Sequence, residues 1–134
     1  MKLYKVVSKK RIKEYLKNGI PLSMSACKPE DETIPQRKFA VYAYTVETLK
    51  QVVKFFGEED AIIVFETSPE GWFVGDLHFE CTAQYKDTCR TLKEVLEEPW
   101  LLSKYKEMEV FLPDGHISPR NIVEVKDRSY FIER

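Results

Sequence analysis

Two glutamates that stand two residues apart, Glu107 and Glu109, are the residues of this sequence whose spacing best suits chemistry. They open the run Glu-Met-Glu-Val-Phe-Leu-Pro-Asp-Gly, in which an alternating apolar stretch leads into a turn sequence. Because side chains at i and i+2 of a strand point to the same face, both carboxylates can enter one cleft. A carboxylate there can stabilise positive charge at an anomeric carbon, and a second one can orient or deprotonate a nucleophile.

The same spacing also suits a structural role, in which the two acids lie on the polar face of an edge strand and pair with neighbouring lysines. In either case we expect Met108–Leu112 to form the strand. Since strict alternation does not allow Val110 and Leu112 to share the face of Glu109, we also expect a bulge or a strand end near Phe111.

Length and composition describe a single globular domain over residues 1–134. Apolar residues make up 43% of the chain and charged residues 32%, with a formal net charge of −1. This balance excludes a disordered chain, and it lacks the basic footprint of a dedicated duplex-binding protein. The first twenty residues are locally basic. We predict that these charges are the solvated face of a helix over 9–18, with Ile12 and Leu16 buried, and the alternative is a patch that faces an anion such as nucleic acid.

The cysteines favour a reducing compartment and predict no metal site. Cys27, Cys81 and Cys89 are an odd number, which is simplest to explain by free thiols in the cytoplasm. His78 and Cys81 form a single His-x-x-Cys, whereas zinc sites usually present paired ligands at short spacing. No run approaches the length of apolar sequence that crosses a membrane, so we expect no membrane partner.

Hydrophobic periodicity and turn residues predict an α+β fold with two to four helices and a mostly antiparallel sheet, either continuous or split in two. The predicted strands are Leu3–Val7, Phe39–Tyr44, Ala61–Thr67, Trp72–Val74, Leu77–Tyr85, Met108–Leu112, Ile122–Val125 and Ser129–Ile132. The predicted helices start at Ser8, at Thr45 and at Asp87 or Thr88, with a further turn or two over Trp100–Tyr105.

Three segments of the chain resemble motifs of the ADP-ribosyltransferases. The run Glu107–Gly115 resembles the last motif of that family, in which Glu-x-Glu leads into a strand such as Val-Leu-Leu-Pro-x-Gly. The opening Leu3–Val7, followed by a short helix, is similar to the first strand of the family, where an Arg or His occupies the position of Lys5. The run Ile117–Val125 is similar to the Ile-x-Pro-x-x-Ile ending of several divergent members.

This resemblance implies an NAD-dependent ADP-ribosyltransferase or NAD glycohydrolase, with NAD in the cleft between the halves of a split antiparallel sheet. Glu109 would match the glutamate that contacts the nicotinamide ribose and assists glycosidic cleavage. Glu107 would match the glutamate that positions the acceptor, and Lys5 the residue that contacts the dinucleotide. A lysine supplies charge there without the planar fork of an arginine.

For the remaining contacts to NAD the resemblance leaves two alternatives. Ser23 and Ser25 correspond to a Ser-x-Ser of the family, although they fall early, in a proline-rich stretch. Alternatively, Tyr42 or Tyr44 supplies the aromatic ring that stacks on nicotinamide. The acceptor, protein or nucleic acid, and the oligomeric state stay open. The rival interpretation is a catalytically inactive binding domain on the same or an unrelated α+β fold.

Overall fold

A computed structural model describes residues 1–24, 39–76, 90–98, 100, 108–113 and 115–132 of the chain. These residues form eight strands and three α-helices, with 3-10 turns between them. The elements are β1 (Lys2–Ser8), α1 (Ile12–Asn18), β2 (Ser23–Met24), β3 (Phe39–Tyr44), α2 (Val46–Val52), β4 (Asp60–Glu66), β5 (Phe73–Asp76), β6 (Arg90–Thr91), α3 (Leu92–Glu97), β7 (Met108–Pro113) and β8 (Ile122–Asp127).

Seven of the strands make one open sheet in the order β6-β5-β7-β3-β1-β4-β8, and the short β2 pairs with β3. Every described strand pair is antiparallel. The prediction of an α+β fold with a mostly antiparallel sheet is therefore confirmed, while its assignment to the ADP-ribosyltransferase type stays a prediction. Within the residues that the structure describes, no helix is long and apolar enough to span a membrane.

The larger hydrophobic core lies between the sheet and helices α1 and α3. Tyr15 of α1 and Leu92 of α3 are buried there against Leu3, Ile63 and Phe65 of the central strands. Because successive strand residues point to opposite faces, β4 contributes to this core with every second side chain.

A smaller core lies on the opposite face of the sheet, under α2. Ile62 and Val64 of β4 pack there against Leu49, Val53 and Phe131. The central strand β4 is thus buried on both faces, which explains its nearly continuous apolar sequence.

A side-chain cap fixes the start of α2 as the sequence predicts, because the Thr45 hydroxyl accepts from the Thr48 N–H. The Ser8 hydroxyl accepts from the Lys10 N–H and caps the 3-10 turn Lys9–Arg11, whereas α1 begins at Ile12 with Arg11 at its N-cap and no side-chain cap. Such caps satisfy N–H groups that have no partner inside the helix. Helix α1 ends at Gly19, whose φ of 83° favours glycine.

The third helix begins later than predicted. Its N-cap is Thr91, whose hydroxyl accepts from the Glu94 N–H, and the helix runs over Leu92–Glu97. Neither of the predicted caps, Asp87 and Thr88, occupies this position, and both lie outside the described residues, as do Leu77–Tyr85 and residues 101–105. The sequence does contain a signal for this N-cap, since Thr91 is followed three residues later by a glutamate, as in a capping box.

Two further predictions about local structure are wrong. Leu16 is 46% exposed, because Lys9–Arg11 form a 3-10 turn before α1 and Tyr15 is the buried residue of this helix. The predicted strand Ser129–Ile132 is instead a 3-10 turn over Arg128–Phe131, which brings Phe131 back over the sheet.

Of the bulge or strand end expected near Phe111, the bulge is absent, and the strand ends two residues later, at Pro113. Strand β7 pairs with β3 in one unbroken register from Glu109 opposite Tyr44 to Pro113 opposite Ala40. The alternation continues because both faces have apolar partners. Val110 is buried in the larger core, and Phe111 packs on the other face beside Tyr42.

Candidate functional site

The side of β3 that faces β1 is only partly paired with neighbouring strands. At one end β2 pairs with Phe39 and Ala40, and at the other end Tyr44 pairs with Tyr4 of β1. By contrast, β1 pairs with β4 along its whole length. Among the described residues, the register of β1 against β3 is thus much shorter than that of β1 against β4, and we call the boundary between β1 and β3 the seam.

The ammonium group of Lys5 occupies the seam. Its Nζ donates a hydrogen bond of 3.0 Å to the backbone carbonyl of Tyr42 in β3. Lys5 alternates with Leu3 and Val7, which are both buried in the larger core. The side chain thus leaves an apolar environment and ends at a main-chain oxygen that a neighbouring strand would otherwise satisfy.

A pocket of about 140 Å³ opens at the seam. Two tyrosines, a lysine, a glutamate and three apolar residues line it: Lys5, Val6, Tyr42, Ala43, Tyr44, Phe56 and Glu109. The structure therefore brings together four of the residues that the sequence singles out, Lys5, Tyr42, Tyr44 and Glu109, although they lie on three different strands.

The charges of Lys5 and Glu109 act on each other across this pocket. Burial lowers the pKa of the Lys5 ammonium below its ordinary value, and the Glu109 carboxylate opposes this by raising it. The guanidinium of Arg11 lowers the pKa of Lys5 further. Burial disfavours the charged form of a lysine, whereas a nearby carboxylate favours it. The Glu109 carboxylate therefore helps to keep the Lys5 side chain charged in this pocket.

Glu109 is placed by the regular register of β7. It lies opposite Tyr44 of β3 on one side and opposite Gly75 of β5 on the other. Since Gly75 has no side chain, β5 fills no space next to the carboxylate at this position. Glu109 is partly buried and shares its face of the sheet with Tyr42 and Tyr44.

The remaining predicted site residues are not part of the described pocket. Glu107 and Ser25 lie outside the described residues. The structure describes the backbone of Ser23, which is in β2 opposite Ala40, but not its side chain. The choice between the serines and the tyrosines is not settled by this geometry, but only the tyrosines line the pocket as described.

Val6, Ala43 and Phe56 are the pocket residues that the sequence does not single out, and Phe56 is the one that the sequence places elsewhere. Its spacing after Leu49, Val52 and Val53 predicts a place in the buried stripe of α2. Instead the α-helix ends at Val52, a 3-10 turn follows, and Phe56 takes an extended conformation. The carbonyl of Phe56 accepts a 2.7 Å hydrogen bond from Nη1 of Arg128, which holds this wall of the pocket. The only local signal is Gly57, directly after it.

A second pocket, of about 220 Å³, lies at α3 and differs in charge. It is lined by Arg90, Glu94, Glu97, Glu98 and Trp100. The sequence predicts Trp100 as a core residue, but 60% of it is exposed. Arg90 pairs with Glu94 at 3.6 Å, which leaves the charges of Glu97 and Glu98 without a cation in the lining. The net charge of this pocket is therefore negative and repels an anionic ligand.

Among the described residues, no group of three or more His, Cys, Asp or Glu side chains is placed to hold a metal ion. His78, Cys81 and Cys89 lie outside these residues. A comparison of the chain with protein-family models finds no match, and comparisons with curated proteins and with solved structures find none either.

Proposed function

We propose that this protein is an NAD-dependent ADP-ribosyltransferase or NAD glycohydrolase, and that the nicotinamide end of NAD binds in the pocket at the seam. The observation that carries this proposal is the meeting of Lys5, Glu109 and two tyrosines in one pocket. These are residues to which the resemblance to ADP-ribosyltransferases assigns contacts with NAD. The sheet is continuous across β1 and β3, which pair at Tyr4 and Tyr44, whereas the resemblance implies a sheet split in two.

The charges of the pocket complement those of NAD. The nicotinamide ring is a cation, and it is attracted by the faces of aromatic rings, while the Glu109 carboxylate stabilises positive charge that forms on the ribose. The pyrophosphate is an anion, and Lys5 attracts it from the same pocket. A ligand with charge of one sign only would satisfy one of these groups and be repelled by the other.

The size of the pocket limits which part of NAD it encloses. Pockets that enclose a drug-sized ligand measure about 300–1,000 Å³. A volume of about 140 Å³ suits one ring and its immediate substituents. The rest of the dinucleotide would therefore extend beyond the part of the pocket that the described residues form.

In the proposed reaction the bond between nicotinamide and the ribose breaks, and nicotinamide leaves with the bonding electrons. Glu109 stabilises the positive charge that develops on the ribose, because it is a fixed carboxylate in a partly desolvated site. A hydroxyl, amine or water then bonds to the same carbon and loses a proton. By the resemblance, Glu107 would orient that nucleophile or accept its proton.

A thermal-shift titration with NAD tests whether the pocket binds it. A ligand that binds only the folded state at 100 times its Kd stabilises that state by about 2.7 kcal/mol, which moves the midpoint by several degrees. ADP-ribose, which lacks the pyridinium ring, should shift the midpoint less at the same concentration. The shift should shrink in Lys5→Ala, whereas Lys93→Ala, a change of an exposed lysine at α3, should leave it unchanged.

Release of nicotinamide, measured by chromatography after incubation with NAD, then separates an enzyme from a binding module. Turnover supports the transferase or glycohydrolase. Binding without turnover in the presence of candidate protein and nucleic-acid acceptors would identify a catalytically inactive NAD-binding domain. No shift and no turnover would end the proposal, and Glu109 would then have only a structural role.

A further inference from the structure

We propose that β8 is a self-association edge, through which two copies of this chain pair antiparallel about a two-fold axis at Val125. The sheet ends in two different ways. At one end β6 comprises only Arg90–Thr91, whereas at the other end β8 runs over Ile122–Asp127. An edge strand of this length presents unpaired N–H and C=O groups that a further strand can use.

The outer edge of β8 is open in the described part of the chain. Val123 and Val125 are 45% and 39% exposed, although both are apolar. The segments on either side of β8 turn back over the sheet instead of running along the edge. Asn121 donates its amide to the carbonyl of Glu66 at 3.1 Å, and Phe131 is buried under α2.

The sequence of β8 is complementary to itself in one register. With the axis at Val125, Val125 lies opposite its own copy, and Glu124 of each chain lies opposite Lys126 of the other. Glu124 and Lys126 share one face, since they pair with Val64 and Ile62 of β4. Residues directly opposite in an antiparallel pair have Cβ atoms about 4.5–5.5 Å apart, so both cross-chain pairs join opposite charges.

The neighbouring two-fold registers lack this match. An axis at Glu124 places two glutamates opposite each other, and an axis at Lys126 places two lysines opposite each other, which is destabilising. The register shift of β8 against β4 occurs between Glu124 and Ile122, which limits the regular ladder to the residues around Val125. The interface is therefore short, below the roughly 1,000 Å² of stable complexes, and the dimer should be reversible.

Charge-reversal variants test this register, with sedimentation velocity at low ionic strength over a wide concentration range as the measurement. The wild-type chain should show a reversible monomer–dimer equilibrium that weakens as salt is added. Glu124→Lys and Lys126→Glu should each raise the dimer Kd at least tenfold, since each places like charges opposite. A Lys50→Glu control, on the exposed face of α2, changes the net charge by as much as Lys126→Glu does and should leave the Kd unchanged.

A double variant and a mixture of the two single variants make the prediction specific to this register. The double variant Glu124→Lys/Lys126→Glu restores opposite charges and should recover the wild-type Kd. An equimolar mixture of the two single variants should form a heterodimer, because one copy then presents two lysines and the other two glutamates. The mixture also shows that each variant is folded.

A wild-type chain that stays monomeric at the highest concentration would overturn the proposal. So would a mixture that stays monomeric while the wild-type chain dimerises, since the interface would then lie elsewhere. The measurement needs no NAD, and its outcome is independent of the proposed enzymatic function.

Discussion

Replacing Glu109 by glutamine removes one negative charge from the pocket and keeps the shape of the side chain. The register of β7 between β3 and β5 does not depend on this charge, because it is formed by main-chain pairing and by the buried Val110 and Phe111. We therefore expect Glu109→Gln to fold as the wild-type protein does. Its effect should be on catalysis, where the carboxylate faces developing positive charge.

The size of that effect follows from the position of the carboxylate. For two unit charges about 4 Å apart, an effective dielectric constant of about 20 gives about 4 kcal/mol. Loss of one such stabilising group in known enzymes costs about 10²–10³ in kcat. We expect nicotinamide release to fall by about two to four powers of ten, equivalent to about 3–5 kcal/mol in the transition state. NAD affinity should change far less, because the charge on the ribose develops only as the bond breaks.

The pKa of Lys5 provides a second, independent measure of the effect of Glu109→Gln. The Glu109 carboxylate raises the pKa of Lys5 against the lowering effect of burial and of Arg11. Without that carboxylate the pKa of Lys5 falls further, and Lys5 loses its charge at a lower pH than in the wild-type protein. The loss of NAD affinity with rising pH should therefore begin at a lower pH in Glu109→Gln.

The assay is single-turnover nicotinamide release at saturating NAD, with NAD affinity measured separately by calorimetry across pH. Glu97→Gln, on the exposed face of α3, is the matched control for exchange of a carboxylate for an amide, and it should keep full activity. If Glu109→Gln retained more than a tenth of the wild-type rate, the assignment of charge stabilisation to Glu109 would be refuted. If it lost NAD binding instead, the carboxylate would act in ground-state binding.

Three further predictions concern the pocket and the fold. Lys5→Met should weaken NAD binding. Burial lowers the pKa of Lys5 in the folded wild-type protein below the value of 10.5 of an unfolded chain, so the free energy of unfolding should rise with pH between these two pKa values. Denaturation curves of the variant should lack this rise. Gly19→Ala should lower the free energy of unfolding by about 1–3 kcal/mol or more, since φ is 83° and the new Cβ would meet the carbonyl of Ile117, whereas Gly57→Ala should change it by less than about 0.5 kcal/mol. If Glu107 positions the acceptor, Glu107→Gln should slow transfer to an acceptor more than hydrolysis by water, and equal slowing of both would contradict that role.

Sequence patterns predict the strands that carry the pocket well, because the information is local. Phe39–Tyr44 is bounded as predicted, β1, β7 and β8 extend the predicted strands by one or two residues, and β4 lies one residue earlier than predicted at both ends. Apolar alternation, the threonine cap and the turn at Gly57 are all readable within a few residues. Glu109 and the two tyrosines share a face because β7 pairs with β3. The periodicity of a single strand cannot predict which strands are neighbours.

The two wrong helix predictions have different physical causes. Phe56 continues the apolar spacing of α2, yet its carbonyl is held by Arg128, which lies 72 residues later, and such a tertiary contact selects between conformations of similar local preference. Leu16 continues the spacing of α1, yet the preceding 3-10 turn, a local feature, leaves Tyr15 as the buried residue.

The position of Lys5 shows why the pocket costs stability. Its strand neighbours on the same face, Leu3 and Val7, are buried, so a hydrophobic residue at position 5 would extend the core without desolvating a charge. The lysine is tolerated because the Tyr42 carbonyl and the Glu109 carboxylate compensate for lost hydration, and the seam between β1 and β3 gives its ammonium group a way out of the core. Lys5→Met should therefore be neutral or stabilising at neutral pH while it weakens NAD binding, as expected where a site is maintained against the stability of its fold. A Lys5→Met variant that was both strongly destabilised and still bound NAD normally would show the opposite, that Lys5 holds the sheet together and takes no part in the site.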